Sequence, residues 1–216
     1  YSEHSGSLGE LVPFEAAPLV YISGLSSKMH VGFDSMQPAD CSERVPLSRW
    51  DVDSQTELCG GIPVGYGVFL DDVDMFDNRL FGLSETEAAL IDPQQRLLLE
   101  TVVDLALGRP ELHDDVSRAG WGVFVGVSSS DYAKLASRHL KGVTAYSATG
   151  TAMSVVSGRV SYSLRLRGPA ATIDTACSSS LVSMHMAYSS FSMGQSLLAF
   201  NSGVNLTLAP ETPAMF

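Results

Sequence analysis

The chain has 216 residues, 45% of them hydrophobic, which is enough for one or two domains with a substantial core. Its net charge of −11 argues against a protein that binds nucleic-acid phosphates or an anionic membrane surface. No apolar run is long enough to span a bilayer, and the N-terminus has the pattern of neither a secretory signal nor a transit peptide.

The three cysteines, Cys41, Cys59 and Cys177, are odd in number and show no CxxC spacing. This pattern argues against a disulfide framework and a zinc site, and it favours a reducing compartment. We therefore expect an intracellular protein, cytoplasmic unless a plastid transit segment precedes this sequence. The five histidines are scattered without the spacing of metal ligands, and we expect no bound metal.

The chain is predicted to begin with a linker that leads into a strand. Residues 1–17 are polar, contain Ser and Gly, and are interpreted as a flexible lead-in or linker. Leu19–Gly24 is a short apolar run that ends in glycine, which predicts a buried first strand.

The segment Gly67–Asp77 combines Gly and Asp with aromatic residues and predicts a loop. Its acidic residues suggest a calcium-binding loop, but the EF-hand spacing and its closing Glu are absent. We therefore interpret the segment as a solvated acidic loop. Its carboxylates are Asp71, Asp72, Asp74 and Asp77, and its apolar anchors are Phe69, Leu70, Phe76 and the following Phe81.

Two helices are predicted next. The Ser-x-x-Glu sequence at 84–87 has the form of a capping box and predicts a helix to about Leu90. A second helix is predicted from an N-cap at Asp92 and a first-turn Pro93, and it ends before Gly108–Pro110. Its inward side chains are predicted to be Leu97, Leu98, Val102 and Leu105.

The middle and the end of the chain alternate strands with helices. Trp121–Val127 alternates Gly with apolar residues, which predicts a central, fully buried strand. A helix is predicted over Tyr132–His139, and a further buried strand with its exit loop over Leu197–Glu211. This alternation predicts an α/β fold with a mixed, mostly parallel sheet.

The segment around Cys177 reads as strand, tight turn and helix. Ala171–Ile173 is β-prone, Ser178–Ser180 are small, and a helical pattern then runs to about Phe191. The thiolate is the nucleophilic form of cysteine, and the start of a helix favours an anion. Cys177 is therefore a candidate nucleophile. The alternative is a buried structural cysteine, since cysteine is among the most buried residue types.

The sequence from Asp174 to Ser180, Asp-Thr-Ala-Cys-Ser-Ser-Ser, resembles the active-site segment of β-ketoacyl synthases, in particular the ketosynthase domains of type I polyketide synthases. The resemblance extends to Asp92–Glu100, where helix capping and subunit contacts explain the polar residues better than catalysis does. Val45–Asp53 and Gly67–Asp77 also resemble family segments, whereas Leu25–His30 departs from the family pattern.

The resemblance implies the thiolase-like fold, with a mixed five-stranded sheet and helices in each of two similar, stacked halves. By the order of its motifs, residues 18–216 are the N-terminal half, which bears the nucleophile. The resemblance also implies a helix over Thr149–Tyr162 and a homodimer interface along Thr172–Thr175.

The implied reaction is a decarboxylative Claisen condensation in polyketide or fatty acid biosynthesis. Cys177 would accept an acyl group from a carrier thioester, its backbone N–H would be one oxyanion donor, and a malonyl-type extender would then attack. Phosphopantetheine belongs to the partner acyl carrier protein, so no cofactor of the chain itself is implied. The family's two catalytic histidines lie in His-Gly-Thr-Gly-Thr and Gly-His motifs, which this sequence lacks. His185 is too far along its helix to replace them.

Three functional hypotheses remain open. The first is a condensing enzyme of which this chain is a fragment, and the second is a non-catalytic dimerisation or docking module. The third is a cysteine acyltransferase or hydrolase, which would need a local base. Arg159, Arg165 and Arg167 form the densest basic cluster and suit either docking of an acidic carrier protein or internal salt bridges.

Overall fold

The computed structural model describes residues 20, 22–28, 40–55, 65–107, 120–128, 130–139 and 145–214. The predicted linker at residues 1–17 lies outside this part of the chain. The strands are β1 (Glu43–Arg44), β2 (Tyr66–Gly67), β3 (Trp121–Gly126), β4 (Ala170–Ile173) and β5 (Leu198–Gly203). The helices are α1 (Val52–Gln55), α2 (Glu85–Leu90), α3 (Pro93–Leu107), α4 (Asp131–His139), α5 (Ala145–Thr151), α6 (Val156–Ser163), α7 (Ser179–Ser192) and α8 (Glu211–Ala214).

The main sheet has β3 at its centre, with β4 and β5 parallel to it on either side. Gly126 at the end of β3 is in register with Ile173 on β4 and with Gly203 on β5. Every residue of β3 is buried, which confirms the predicted central strand. The separate β1–β2 pair is antiparallel, so the five described strands are divided between two sheets.

The predicted first strand at Leu19–Gly24 is wrong for the residues that the structure describes. Residues 20 and 22–24 are irregular, and Ile22 is 69% exposed. A short apolar run shows a tendency to be buried, but a strand also needs a partner, and the sheet β4–β3–β5 pairs with none of these residues.

The two faces of β3 pack against different helices because successive side chains of a strand point to opposite sides. Val123 and Val125 face a core formed with α3 and α6, which includes Leu99 and Val160. Phe124 faces the other way, where it packs with Ala187 of α7. The sheet is therefore sandwiched between α7 on one face and α3 with α6 on the other.

The capping predictions for α2 and α3 are confirmed. Ser84 Oγ accepts a hydrogen bond from Glu87 N at 3.1 Å, and Asp92 Oδ1 accepts one from Gln94 N at 2.8 Å. Of the side chains predicted to point inward from α3, Leu98 and Val102 are buried, whereas Leu97 and Leu105 are partly buried. The predicted terminator Gly108–Pro110 lies outside the described residues.

The single helix expected over Thr149–Tyr162 is wrong, because the chain forms α5, a 3-10 turn at Met153–Val155 and then α6. The carbonyl of Gly150 accepts hydrogen bonds from Asp92 N at 2.9 Å and Gln95 Nε2 at 3.0 Å. Those donors take the place of the helical N–H four residues later, and Ala152 turns to an extended conformation.

The acidic loop agrees with the predicted solvated segment. Asp71, Asp72, Asp74 and Asp77 are all exposed. Phe69 is buried edge-on to Trp50 with ring centroids 6.0 Å apart, so the loop is anchored through an aromatic side chain as predicted. Within the described residues no helix is both long and apolar enough to cross a membrane.

Candidate functional site

Cys177 lies in the turn between β4 and α7, two residues before the first residue of the helix. The predicted order of strand, turn and helix is confirmed. The cysteine is exposed and its thiol is free, so it is not the buried structural cysteine that was the alternative. Reagents in solution can therefore reach the side chain.

The turn is closed by side-chain hydrogen bonds that the sequence alone did not reveal. Ala176 adopts the left-handed conformation with φ of 55°. Its N–H donates to Asp174 Oδ1 at 3.1 Å, and its carbonyl accepts from Ser179 Oγ at 2.7 Å. Ser179 Oγ also accepts from Thr175 N at 2.8 Å. The N–H groups of Thr175 and Ala176 are thus both occupied immediately before Cys177.

The first turn of α7 rests on two glycines of the sheet. A Cβ at Gly126 would lie 2.4 Å from Ser180 N, and a Cβ at Gly203 would lie 2.8 Å from Ser180 Cβ. Such distances leave no room for any side chain. The second turn is tied to β5, since Ser183 Oγ donates to Asn201 Oδ1 at 2.7 Å. Glycines within an apolar strand pattern are a sequence signal of such a close approach.

No acid–base partner for Cys177 is found among the described side chains. His185, the one histidine whose side chain the structure describes, is exposed on α7. Its six-residue separation from Ser179 corresponds to about 9 Å along the helix axis. This placement agrees with the prediction that His185 cannot act as the base for Cys177.

The basic cluster is divided by the structure. The side chain of Arg159 is 9% exposed and forms an ion pair with Glu87 at 3.2 Å, and its Nε donates to Gln95 Oε1 at 2.7 Å. The salt-bridge interpretation is therefore confirmed for Arg159. Arg165 and Arg167 are exposed but precede β4, at the end of the strand opposite to Cys177.

The polar residues at the start of α3 form a buried network. Burial raises the pKa of Asp92 above its usual value, partly opposed by a hydrogen bond from Ser130 Oγ at 2.6 Å. Gln94 Oε1 accepts from Leu206 N at 3.1 Å, which fixes the segment after β5. These contacts confirm that Asp92 caps α3.

Asp131, which sequence reasoning missed, holds the segment that leads into α8. It is 1% exposed, and its Oδ2 accepts hydrogen bonds from Leu208 N at 3.0 Å and Ala209 N at 3.2 Å. Thr212 Oγ1 also donates to Oδ1 of this carboxylate. The sequence signal for Asp131 was an acidic residue in the first turn of a helix. Its hydrogen-bond partners lie more than 70 residues away, so a local pattern could not identify them.

A cavity of about 420 Å³ lies between the acidic loop and α3 and contains no residue of the Cys177 turn. Its lining includes Lys28, which forms an ion pair with Glu100. In the described part of the chain, no group of three His, Cys, Asp or Glu residues could hold a metal ion.

Comparison with known proteins gives a consistent picture. The family model for the N-terminal domain of β-ketoacyl synthases matches residues 36–216. The polyketide synthase component of lovastatin nonaketide synthase from Aspergillus terreus is 41% identical over 81% of this chain. A mycocerosic acid synthase-like polyketide synthase from Mycolicibacterium smegmatis is 42% identical over 81% of it. The chain spans only 6% and 8% of these two relatives.

Two solved ketosynthases share the architecture. An oxazolomycin ketosynthase domain from Streptomyces albus JA3453 matches with a TM-score of 0.69 and 33% identity, over 82% of this chain and 31% of that one. A ketosynthase of the bacillaene synthase from Bacillus subtilis 168 matches with a TM-score of 0.60 and 30% identity, over 81% of this chain and 27% of that one.

Proposed function

Because the chain belongs to the β-ketoacyl synthase family, as the N-terminal part of a ketosynthase domain of the polyketide synthase type, we propose that Cys177 is its acyl-accepting nucleophile. The observation that carries the proposal is the exposed thiol of Cys177 in a hydrogen-bonded turn directly before α7. A nucleophile presented between a strand and a helix is a recurring arrangement in acyl transfer.

In the loading step, the Cys177 thiolate attacks the carbonyl carbon of an acyl thioester. The new bond joins Sγ to that carbon, and the bond to the sulfur of the carrier breaks. The carrier leaves as a thiol with the proton that Cys177 gave up. The N–H of Cys177, which is not among the donors that close the turn, would be one donor to the developing oxyanion.

In the condensation step, a malonyl-type extender loses carbon dioxide, and the resulting carbanion attacks the acyl carbon held by Cys177. The bond from Sγ to that carbon breaks and restores the thiolate. Stabilising the extender requires groups that the described residues do not bring to Cys177. Loading is therefore the step that the described residues support.

The partners follow from the same proposal. The acyl donor is an acyl carrier protein that bears phosphopantetheine, and the chain needs no cofactor of its own. The outer edge of β4 is unpaired in the described sheet, which suits a homodimer contact along Thr172–Thr175. The free thiol of Cys177 supports an intracellular location.

The test is acylation of the chain by an acyl N-acetylcysteamine thioester, followed by mass spectrometry of its peptides. We expect a stable acyl adduct on the Cys177 peptide, absent in Cys177→Ala and retained in the matched variant Cys41→Ala. Equal acylation of the Cys41 and Cys177 peptides would contradict a dedicated nucleophile. Continuous release of free acid would instead support a hydrolase.

A further inference from the structure

Ser179 differs from the other residues around Cys177 because it is buried and its hydroxyl both accepts and donates a hydrogen bond. The residue is 4% exposed. Its Oγ accepts a hydrogen bond from Thr175 N at 2.8 Å and donates to Ala176 O at 2.7 Å. One hydroxyl therefore binds the backbone N–H of Thr175 and the carbonyl of Ala176, the two residues before Cys177. Removing the hydroxyl therefore leaves Thr175 N without this acceptor.

The conformation that these bonds hold is one that the chain would not adopt by itself. Ala176 has φ of 55°, in the left-handed region that alanine rarely occupies. A residue stays in such a conformation only where its surroundings fix it. This dihedral angle is one of those that set the direction in which the next side chain, that of Cys177, leaves the backbone.

Ser179 is itself immobilised by the sheet. A Cβ at Gly126 would lie 2.5 Å from the carbonyl carbon of Ser179, so the peptide after Ser179 lies directly on β3. The sheet thus fixes the place of the Ser179 backbone, and Ser179 Oγ in turn fixes the places of Thr175 and Ala176. Ser178 differs, because it is exposed and its bond to Thr175 O at 2.8 Å competes with water.

We propose that Ser179 is a positioning residue that sets the direction of the Cys177 thiol by locking Ala176 in its left-handed conformation. The hydroxyl does not touch the acyl group in this role. Attack on a thioester requires Sγ to approach the carbonyl carbon along a defined path, so a small displacement slows it strongly. Iodoacetamide is a small electrophile that can approach Sγ from any open direction and loses iodide when the thiolate attacks it, so alkylation tolerates the same displacement. The positioning role of Ser179 rests on the proposed function in one respect, since acylation of Cys177 is one of the two rates that the experiment measures.

The experiment compares two rates at Cys177 in the whole chain, acylation by an acyl N-acetylcysteamine thioester and alkylation by iodoacetamide. The variants are Ser179→Ala, Ser179→Thr and the matched control Ser190→Ala. Ser190 lies on the same helix, eleven residues after Ser179, and is 2% exposed. Its hydroxyl forms a hydrogen bond with Ser196 Oγ at 2.6 Å.

For Ser179→Ala, we expect acylation to fall by about tenfold or more while alkylation changes by about twofold or less. Ser179→Thr, which keeps the hydroxyl, should restore the ratio of the two rates, and Ser190→Ala should leave it unchanged. Because iodoacetamide also alkylates the thiol of an unfolded chain, the two rates are compared only among variants that are folded. Circular dichroism melting identifies a variant that fails to fold. The Ser190→Ala variant then shows how much a loss of stability alone changes the ratio of acylation to alkylation.

The proposal is overturned if Ser179→Ala and Ser190→Ala give the same ratio of acylation to alkylation. If the unmodified chain is alkylated at Cys177 but not acylated, the proposed function fails. Backbone amide exchange at Ala176 and Cys177 then tests the positioning role separately. Faster exchange in Ser179→Ala than in Ser190→Ala would support the positioning role of Ser179, and equal exchange in the two variants would contradict it.

Discussion

Gly126 of β3 and Ser180 of α7 meet backbone to backbone, since a Cβ at Gly126 would lie 2.4 Å from Ser180 N. The helix that follows Cys177 can approach the sheet this closely because small residues line its buried face. Those residues are Ser179, Ser183, Ala187 and Ser190. The height of the nucleophile above the sheet is therefore set by a glycine on a different element.

Gly126→Ala is expected to destabilise the chain by about 1–3 kcal/mol, because α7 or β3 must shift to admit the methyl group. Thermal unfolding measures the change. The matched control is Gly158→Ala on α6, where a Cβ would meet nothing within 4 Å. That substitution should raise stability by about 0.5–1 kcal/mol, since alanine is the better helix former. Equal effects at the two positions would contradict the close contact.

Arg159→Met is expected to cost about 2–3 kcal/mol, because it leaves Glu87 and Gln95 without their shared partner in a mostly buried site. Urea unfolding measures the loss. Arg44→Ala is the control, since the Arg44–Asp53 pair has side chains 63% and 82% exposed and should matter by less than about 1 kcal/mol. A cost for Arg159→Met no larger than that of the control would show that the network adds no stability.

Local sequence signals predicted the elements around Cys177 well. The strand before it, the helix after it and the cap at Asp92 depend on residues a few positions apart, and short-range patterns record such contacts. The break between α5 and α6 was missed because donors from α3 take the carbonyl of Gly150. The exposure of Leu181 could not be predicted either, since periodicity shows that a helix face is apolar but not what covers it.

Asp92 gives a pH dependence whose sign follows from its raised pKa. Burial favours the neutral carboxyl in the folded state, so the folded chain binds this proton more tightly than the unfolded chain. Its stabilising contribution is present at low pH and is lost as the pH rises through the folded-state pKa. Asp92→Asn keeps a capping oxygen and removes the titration. We expect the melting temperature of the wild type, relative to this variant, to rise as the pH falls from about 7 to about 4.

Glu211 provides a control of opposite sign. A hydrogen bond from Arg138 at 2.9 Å lowers the pKa of Glu211, so the ionised form is favoured in the folded state. Its contribution is present above the ordinary pKa and is lost as the pH falls. The melting temperature of the wild type relative to Glu211→Gln should therefore fall over the same acidification. If both differences move in the same direction, the assignment of at least one shift is wrong.

The outer face of α7 carries an apolar stripe that no described residue covers. Leu181, Met184 and Tyr188 are 70%, 47% and 36% exposed, and their spacing of three and four places them on one side of the helix. Exposed apolar patches of this kind promote association, so we expect the isolated chain to self-associate through this face. Leu181→Gln should raise the monomeric fraction in size-exclusion chromatography without lowering the melting temperature. Leu47→Gln, at a residue 83% exposed outside the stripe, should leave that fraction unchanged.

A wild-type chain that is already monomeric and melts cooperatively would contradict the prediction, and an equal gain from Leu47→Gln would trace association to general surface hydrophobicity rather than to α7.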